Sequence, residues 1–200
     1  PSGIGAHAWM PMSYDPRTHI AYIPAMRVPM VYNHDAAFVM REGRWNTAVS
    51  YAGAVPGLPD DPAARSKALT AMHRGTLIAW DVLKGKPVWT VEHGFPWNGG
   101  TLVTAGNLVF QGSYDGEFAA YRADDGRKLW SIASHRGIMA GPMTYTVNGQ
   151  QYIAVMAGFG GSMGMAAPYP DQSKKMPNGQ ILVFKLDGTV FRHDQHDQQR

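Results

Sequence analysis

The sequence contains no cysteine. Disulfides, cysteine-ligated zinc and a covalently attached c-type haem are therefore excluded for this stretch of 200 residues. Charge is sparse as well. Asp, Glu, Lys and Arg make up 16% of the chain, the formal net charge is +3, and no basic run stands out. Nucleic-acid binding is left without its usual electrostatic footprint. No apolar run reaches the roughly 18 residues a membrane-spanning helix needs, and no secretory leader pattern opens the chain. Pro1-Ser2-Gly3 carries no initiator Met and enters patterned sequence at once, as expected of an interior stretch of a longer protein. What is abundant is hydrophobic residues at 44%, with 23 Gly and 14 Pro. Such a composition fits one sizeable core built from many short strands and many turns.

The chain repeats itself. Gly75, Trp80, Gly85 and Trp89 are matched by Gly116, Tyr121, Gly126 and Trp130, all at an offset of 41 residues. A third copy begins at Gly179 and lacks the closing Trp. A period near 40 with short apolar strands indicates a radial all-β architecture, most simply a β-propeller, in which each small sheet needs stacked neighbours. The central unit reads as four strands: Thr101–Thr104, Leu108–Gln111, Glu117–Tyr121 and Lys128–Ile132. Trp89 and Trp130 are expected to pack between sheets, each burying about 200 Å². Asn148-Gly149 is a strong hairpin signal between strands at Met143–Val147 and Gln151–Met156. A last strand spans Gln180–Lys185. Further upstream, Ile20–Ile23 reads as a strand ended by Pro24, after a turn at 15–18, and Met30–Tyr32 as a second. Residues 33–74 break the rhythm with a Pro/Gly-rich loop and a helix over Ala63–Met72 capped by Asp60 or Asp61. The tail from His193 is polar.

The repeat, together with Trp97-Asn98-Gly99-Gly100, the Pro142–Val155 strand pair, the Gly158–Gly161 run and the opening Pro1–Pro16, resembles the C-terminal portion of the PQQ-dependent alcohol dehydrogenases, the quinoprotein dehydrogenases. The resemblance covers about residues 1–188, leaving 189–200 as a tail. It implies an eight-bladed propeller of which this chain supplies about the last three to four blades. It further implies pyrroloquinoline quinone (PQQ) as hydride acceptor beside Ca2+ or a lanthanide, and oxidation of a primary alcohol or polyol to an aldehyde. The metal would be held by residues outside this chain, and no haem is expected here. Implied partners are the N-terminal blades, a small-molecule alcohol and an external electron acceptor such as a cytochrome c, in the periplasm. A homodimer is compatible.

Residue by residue, the resemblance places Trp97 against the cofactor edge and Asn98 within reach of a PQQ carboxylate or carbonyl. Ordinary roles for them would be inner-strand core and turn cap. Gly161 and Ser162 match a pair whose backbone approaches the cofactor, the alternative being a plain flexible loop. Ala8 stands where the family commonly carries an Asn in His-Asn-Trp, so that contact is lost, or replaced by water or by His7. No catalytic base and no metal ligand are nominated. The acidic residues at 60–61 and 124–125 lie in turns, and the tail group His193, Asp194 and His196 reads as solvated rather than metal-binding. Met163 and Met165 near the Gly run, with Met10, Met12, Met26 and Met30, read as packing or an apolar entrance, and Lys174-Lys175 as a solvated loop or a docking patch for an acidic acceptor. A non-catalytic scaffold built from the same repeat, binding protein partners, is the competing interpretation.

Overall fold

The computed structural model describes residues 2, 3, 5–43, 46–50, 56–158 and 178–186. Gly161, Ser162, Met163, Met165, Lys174, Lys175 and the 189–200 tail therefore lie outside the described residues. The strands form antiparallel sheets of propeller-blade type. The first blade contains β1 (Ser13–Asp15), β2 (Ile20–Arg27), β5 (Arg74–Asp81) and β6 (Lys86–His93), hydrogen-bonded in that order. The second contains β7 (Thr101–Thr104), β8 (Leu108–Gly112), β9 (Glu117–Arg122) and β10 (Lys128–Ala133), again in chain order. The third contains three described strands, β11 (Met143–Val147), β12 (Gln150–Ala157) and β13 (Gln180–Lys185). Between β2 and β5 lie a two-residue pairing of β3 (Asn33–His34) with β4 (Val49–Ser50) and the helix α1 (Pro62–Met72).

Period-two alternation dictates how the blades stack. Val109, Ala119 and Tyr121 of the second blade meet Tyr22, Leu77 and Ala79 of the first. The alternate residues Phe110, Phe118 and Ala120 meet Val155, Ala157 and Leu182 of the third. The second blade is thus buried on both faces. Full burial of Phe118 is worth about 2–3 kcal/mol by transfer of its apolar area from water. The repeated Trp closes each junction. Trp89 donates its indole N–H to the Ala123 carbonyl of the next blade at 2.8 Å. Trp130 meets Phe184 of the third blade edge-on, ring centroids 5.3 Å apart. Inner strands adjoin through Ser13 and Thr101, whose hydroxyls are 2.9 Å apart, while Thr101 Oγ1 donates to the Tyr22 carbonyl.

Three details depart from the sequence expectations. Pro24 does not end its strand, because β2 continues to Arg27. The neighbouring Pro24 carbonyl and Met26 N–H point to His7 and Ala6, away from β5. On that side β1 has already ended at Ser13, which pairs with Tyr22, so the missing proline N–H breaks no ladder bond. Residues 30–32 form no strand; the local pairing is at Asn33–His34 instead. β1 occupies residues 13–15, partly inside what reads as a turn. The helix follows its capping signal: Asp61 Oδ1 accepts from Ala64 N at 2.7 Å, and Pro62 occupies the first turn.

Antiparallel order sends the connections alternately to two ends. Among the described residues, the connections at one end are short hairpins, at 16–19, 82–85, 105–107, 123–127 and 148–149. Acidic side chains lock three of them. Asp15 accepts from Arg17, Asp81 from Lys84, and Asp125 from Arg122. The other end carries residues up to 12, the 28–73 insertion, 94–100, 113–116, 134–142 and both ends of the connection between Ala157 and Gln180.

Candidate functional site

The segment Trp97–Gly100 joins the outer strand of the first blade to the inner strand of the second, at the end with the long connections. All four residues are buried. Trp97, 5% exposed, packs with Met10, Met26, Tyr114 and Met139, and Ala8 lies against the same cluster. Four of these neighbours come from the connections at this end, and Met26 is the penultimate residue of β2.

Asn98 is 3% exposed and fully engaged. Its amide donates to the Phe95 carbonyl at 2.7 Å, and its oxygen accepts from the Tyr114 backbone N–H at 3.1 Å. Phe95 stacks obliquely on Tyr114, centroids 4.9 Å apart. The backbone has no room for larger residues here. A Cβ on Gly75 would collide with the Asn98 amide and the Phe95 carbonyl, and one on Gly99 would lie 2.8 Å from the Ala140 carbonyl. Gly99 N donates to the Gly112 carbonyl at 2.9 Å, and Gln111 Nε2 donates to the Gly99 carbonyl at 3.0 Å. Burial pushes the Tyr114 hydroxyl above its ordinary pKa, so it stays protonated.

Against this saturated background one donor stands apart. Trp97 Nε1–H is buried and has no hydrogen-bond partner among the described residues. A buried orphan donor costs about 1–3 kcal/mol, so its retention beside a rigid, apolar wall suits an acceptor arriving from outside the chain. A planar quinone bearing carbonyl and carboxylate oxygens has the right chemistry for both ring face and N–H. Trp97 therefore fits PQQ. Asn98 is placed beside it with both polar ends committed to the turn. His7 donates Nδ1–H to the Pro24 carbonyl at 2.7 Å, so that nitrogen is not free for a ligand. Ala8 presents a methyl to the Trp97 cluster and no donor, as its side chain requires.

Beside this cluster, α1 and the 94–96 turn border an open hollow of about 340 Å³ lined by Arg65, Leu69, His73, Phe95 and Pro96 among others. His73 Nε2 is buried there without a hydrogen-bond partner among the described residues, and burial lowers the pKa of the ring. The described residues hold no group of three or more His, Cys, Asp or Glu able to bind a metal. No described helix is long and apolar enough to cross a membrane.

Sequence reasoning singled out Trp97 and Asn98, and named Met10 and Met26 as packing or an apolar entrance, but it did not join them to Tyr114 or Met139. Tyr114 was legible only as part of a turn. Met139 lies in a connection with no periodic signal, so nothing short of the fold assembles the group.

Comparison with known proteins agrees with the blade geometry. The PQQ family model for the glucose/ethanol/alcohol dehydrogenase β-propeller domain matches residues 1–153. A quinohemoprotein alcohol dehydrogenase, ADH IIB, of Pseudomonas putida is 43% identical over 94% of this chain and 26% of its own length. A 1-butanol dehydrogenase (cytochrome c) of Thauera butanivorans is 39% identical over 90% of this chain and 25% of its own. The crystal structure of quinohemoprotein alcohol dehydrogenase from Comamonas testosteroni superposes with a TM-score of 0.78 at 34% identity, covering all of this chain and 29% of that one. The chain spans about a quarter of the length of these relatives. The expectation of no haem is corrected by these names. Two of these proteins are quinohemoproteins. Absence of cysteine from one quarter of a protein bears only on that quarter, so it does not exclude haem from the whole. With three-quarters of its length inside the match, the chain belongs to the PQQ glucose/ethanol/alcohol dehydrogenase β-propeller family.

Proposed function

We propose that these blades are the C-terminal part of a propeller that binds PQQ and oxidises a primary alcohol or polyol to an aldehyde. The observation that carries this assignment is the buried indole N–H of Trp97, without a partner among the described residues, within the family-matched stretch. When bound, PQQ supplies a two-electron acceptor for the hydride leaving the alcohol carbon. The residues of this chain bind and orient. Trp97 offers its ring face as one wall and its N–H to a carbonyl or carboxylate oxygen. Met10, Met26 and Met139 back that ring with apolar surface and exclude water from it. Asn98 fixes the turn by joining the 95 carbonyl to the 114 amide. No residue of this chain is nominated as the base that takes the alcohol proton, and that base is assigned to the remaining blades. The acids that hold Ca2+ or a lanthanide are assigned there too.

The outer surface of the third blade supports the incomplete-ring part of this proposal. Met156 and Ile181 are directly paired across strands and are 62% and 65% exposed. They lie opposite Val155 and Leu182, which face the second blade. A flat apolar face of this kind needs another wedge against it. The remaining blades of the same protein are its natural cover. Electron delivery to a cytochrome c and a periplasmic location complete the proposal, on the strength of the family. The scaffold alternative is not favoured, since the relatives carry dehydrogenase names.

The test is reconstitution of the full-length protein with PQQ and Ca2+. A bound-quinone absorption band and alcohol-dependent reduction of cytochrome c are expected. A protein that retains no quinone under these conditions is not this enzyme.

A further inference from the structure

Gln111 lies on β8, where the strand pattern calls for an apolar residue, and is only 2% exposed. A buried primary amide is costly unless both its ends are satisfied. Here they are. Its amide donates to the Gly99 carbonyl at 3.0 Å, which turns its oxygen toward His93 Nε2, 2.9 Å away. His93 therefore carries a hydrogen on Nε2 and donates it. His93 is the last residue of β6, the outer strand of the preceding blade. One planar amide thus joins an outer strand to the turn two residues beyond Trp97. The Gly99 N–H is held in turn by the Gly112 carbonyl, and a Cβ on Gly99 would lie 2.9 Å from the Ile138 carbonyl. The turn can shift only if the amide lets go.

We propose that Gln111, oriented by His93, is a positioning residue for the cofactor: by fixing the Gly99 peptide it sets the direction of the Trp97 N–H. This rests on the assignment of Trp97 to PQQ contact made above. Gln111 does not touch the cofactor in this scheme. Its effect passes through Gly99, and outer-shell contacts of this type typically change ligand affinity by 10- to 100-fold.

The experiment is titration of the full-length apoprotein with PQQ, followed by quinone absorption, with the thermal midpoint of each apo variant measured in parallel. Gln111→Glu keeps the shape and the acceptor for His93 but removes the donor to Gly99. His93→Phe removes the donor that orients Gln111. His93→Gln restores one. The expected result is about tenfold weaker PQQ binding for Gln111→Glu and His93→Phe, with His93→Gln within twofold of the parent. Trp97→Phe serves as the reference. If it weakens binding while Gln111→Glu and His93→Phe lower only the thermal midpoint, Gln111 is an inter-blade strut and the inference is overturned alone. If Trp97→Phe leaves affinity unchanged, the assignment of Trp97 falls, and the inference with it. Should Gln111→Glu fail to fold, the His93 pair decides, since loss in Phe and rescue by Gln separates positioning from packing.

Discussion

The ring of Trp89 in one blade lies directly over Gly126 in the next: a Cβ on that glycine would sit 2.6 Å from Trp89 Cε3. The glycine has φ +72°, so its turn and its role as a seat for the indole are one requirement. Gly149 has a similar φ, +76°, with nothing within 4 Å of its would-be Cβ. The two separate backbone strain from packing. Gly149→Ala is expected to cost about 1 kcal/mol through strain alone. Gly126→Ala adds an overpacked contact and is expected to cost about 3 kcal/mol. Urea midpoints of the two variants check this, and equal losses would show that the indole moves freely.

Trp97→Phe removes an N–H that has no partner among the described residues. Stability without cofactor is expected to change by less than about 1 kcal/mol, because the lost packing is offset by one fewer orphan donor. PQQ affinity is expected to fall about tenfold, the worth of one hydrogen bond in a dry site. Apo thermal midpoints and quinone titrations measure the two quantities independently.

Gly75 reports on the Asn98 cap. Its would-be Cβ overlaps the Asn98 amide and the Phe95 carbonyl, which are hydrogen-bonded to each other. Gly75→Ala is expected to cost about 2–3 kcal/mol by overpacking and to displace the 95–98 turn. Tyr114 protection in amide exchange is the local readout, since its N–H is held by Asn98.

His93 makes stability depend on pH. Burial is the largest cause holding its pKa below the ordinary 6.5, and the hydrogen bond to Gln111 and the nearby Asp115 and Glu117 only partly oppose it. The unfolded chain therefore binds a proton that the folded chain refuses. The contribution of neutral His93 is complete above pH 6.5 and declines as pH falls through that value toward the folded-state pKa. In His93→Gln the unfolding free energy is expected to vary less between about pH 7 and about pH 5. An unchanged slope would mean that the ring is solvated.

The hairpin end responds at lower pH. Hydrogen bonding to Arg122 holds Asp125 at about 2, against an ordinary 3.8. Its contribution is present above 3.8 and disappears as pH falls toward about 2. Asp125→Asn is expected to lose that acid limb, read as a shallower fall in thermal midpoint below about pH 4.

Much of the blade layout is written in local signals. Gly85, Gly126 and Asn148-Gly149 announce hairpins because the turns need positive φ, and all four have it. Val109 and Phe110 alternate toward opposite blades because a strand has period two. β1 escapes notice because three residues cannot display a period. Pro24 misleads because what matters is the direction its absent N–H would face, a property of the sheet and not of the residue. The site is less legible for the same reason. Trp97 carries a motif, but only the fold brings Met10 and Met139 from distant connections and Met26 from β2 around it, and Gln111 reads as one more strand residue until its two partners are seen.

The unequal division of the connections has an evolutionary corollary. Lengthening a segment such as 28–73 adds residues only beyond the ends of β2 and β5, which keep pairing Arg27 with Arg74. New surface at that end can thus be acquired by insertion without disturbing the Trp-to-Gly seats that hold the blades together. Descendants of one ancestral ring can diversify in what they admit while the hub beneath stays as it was.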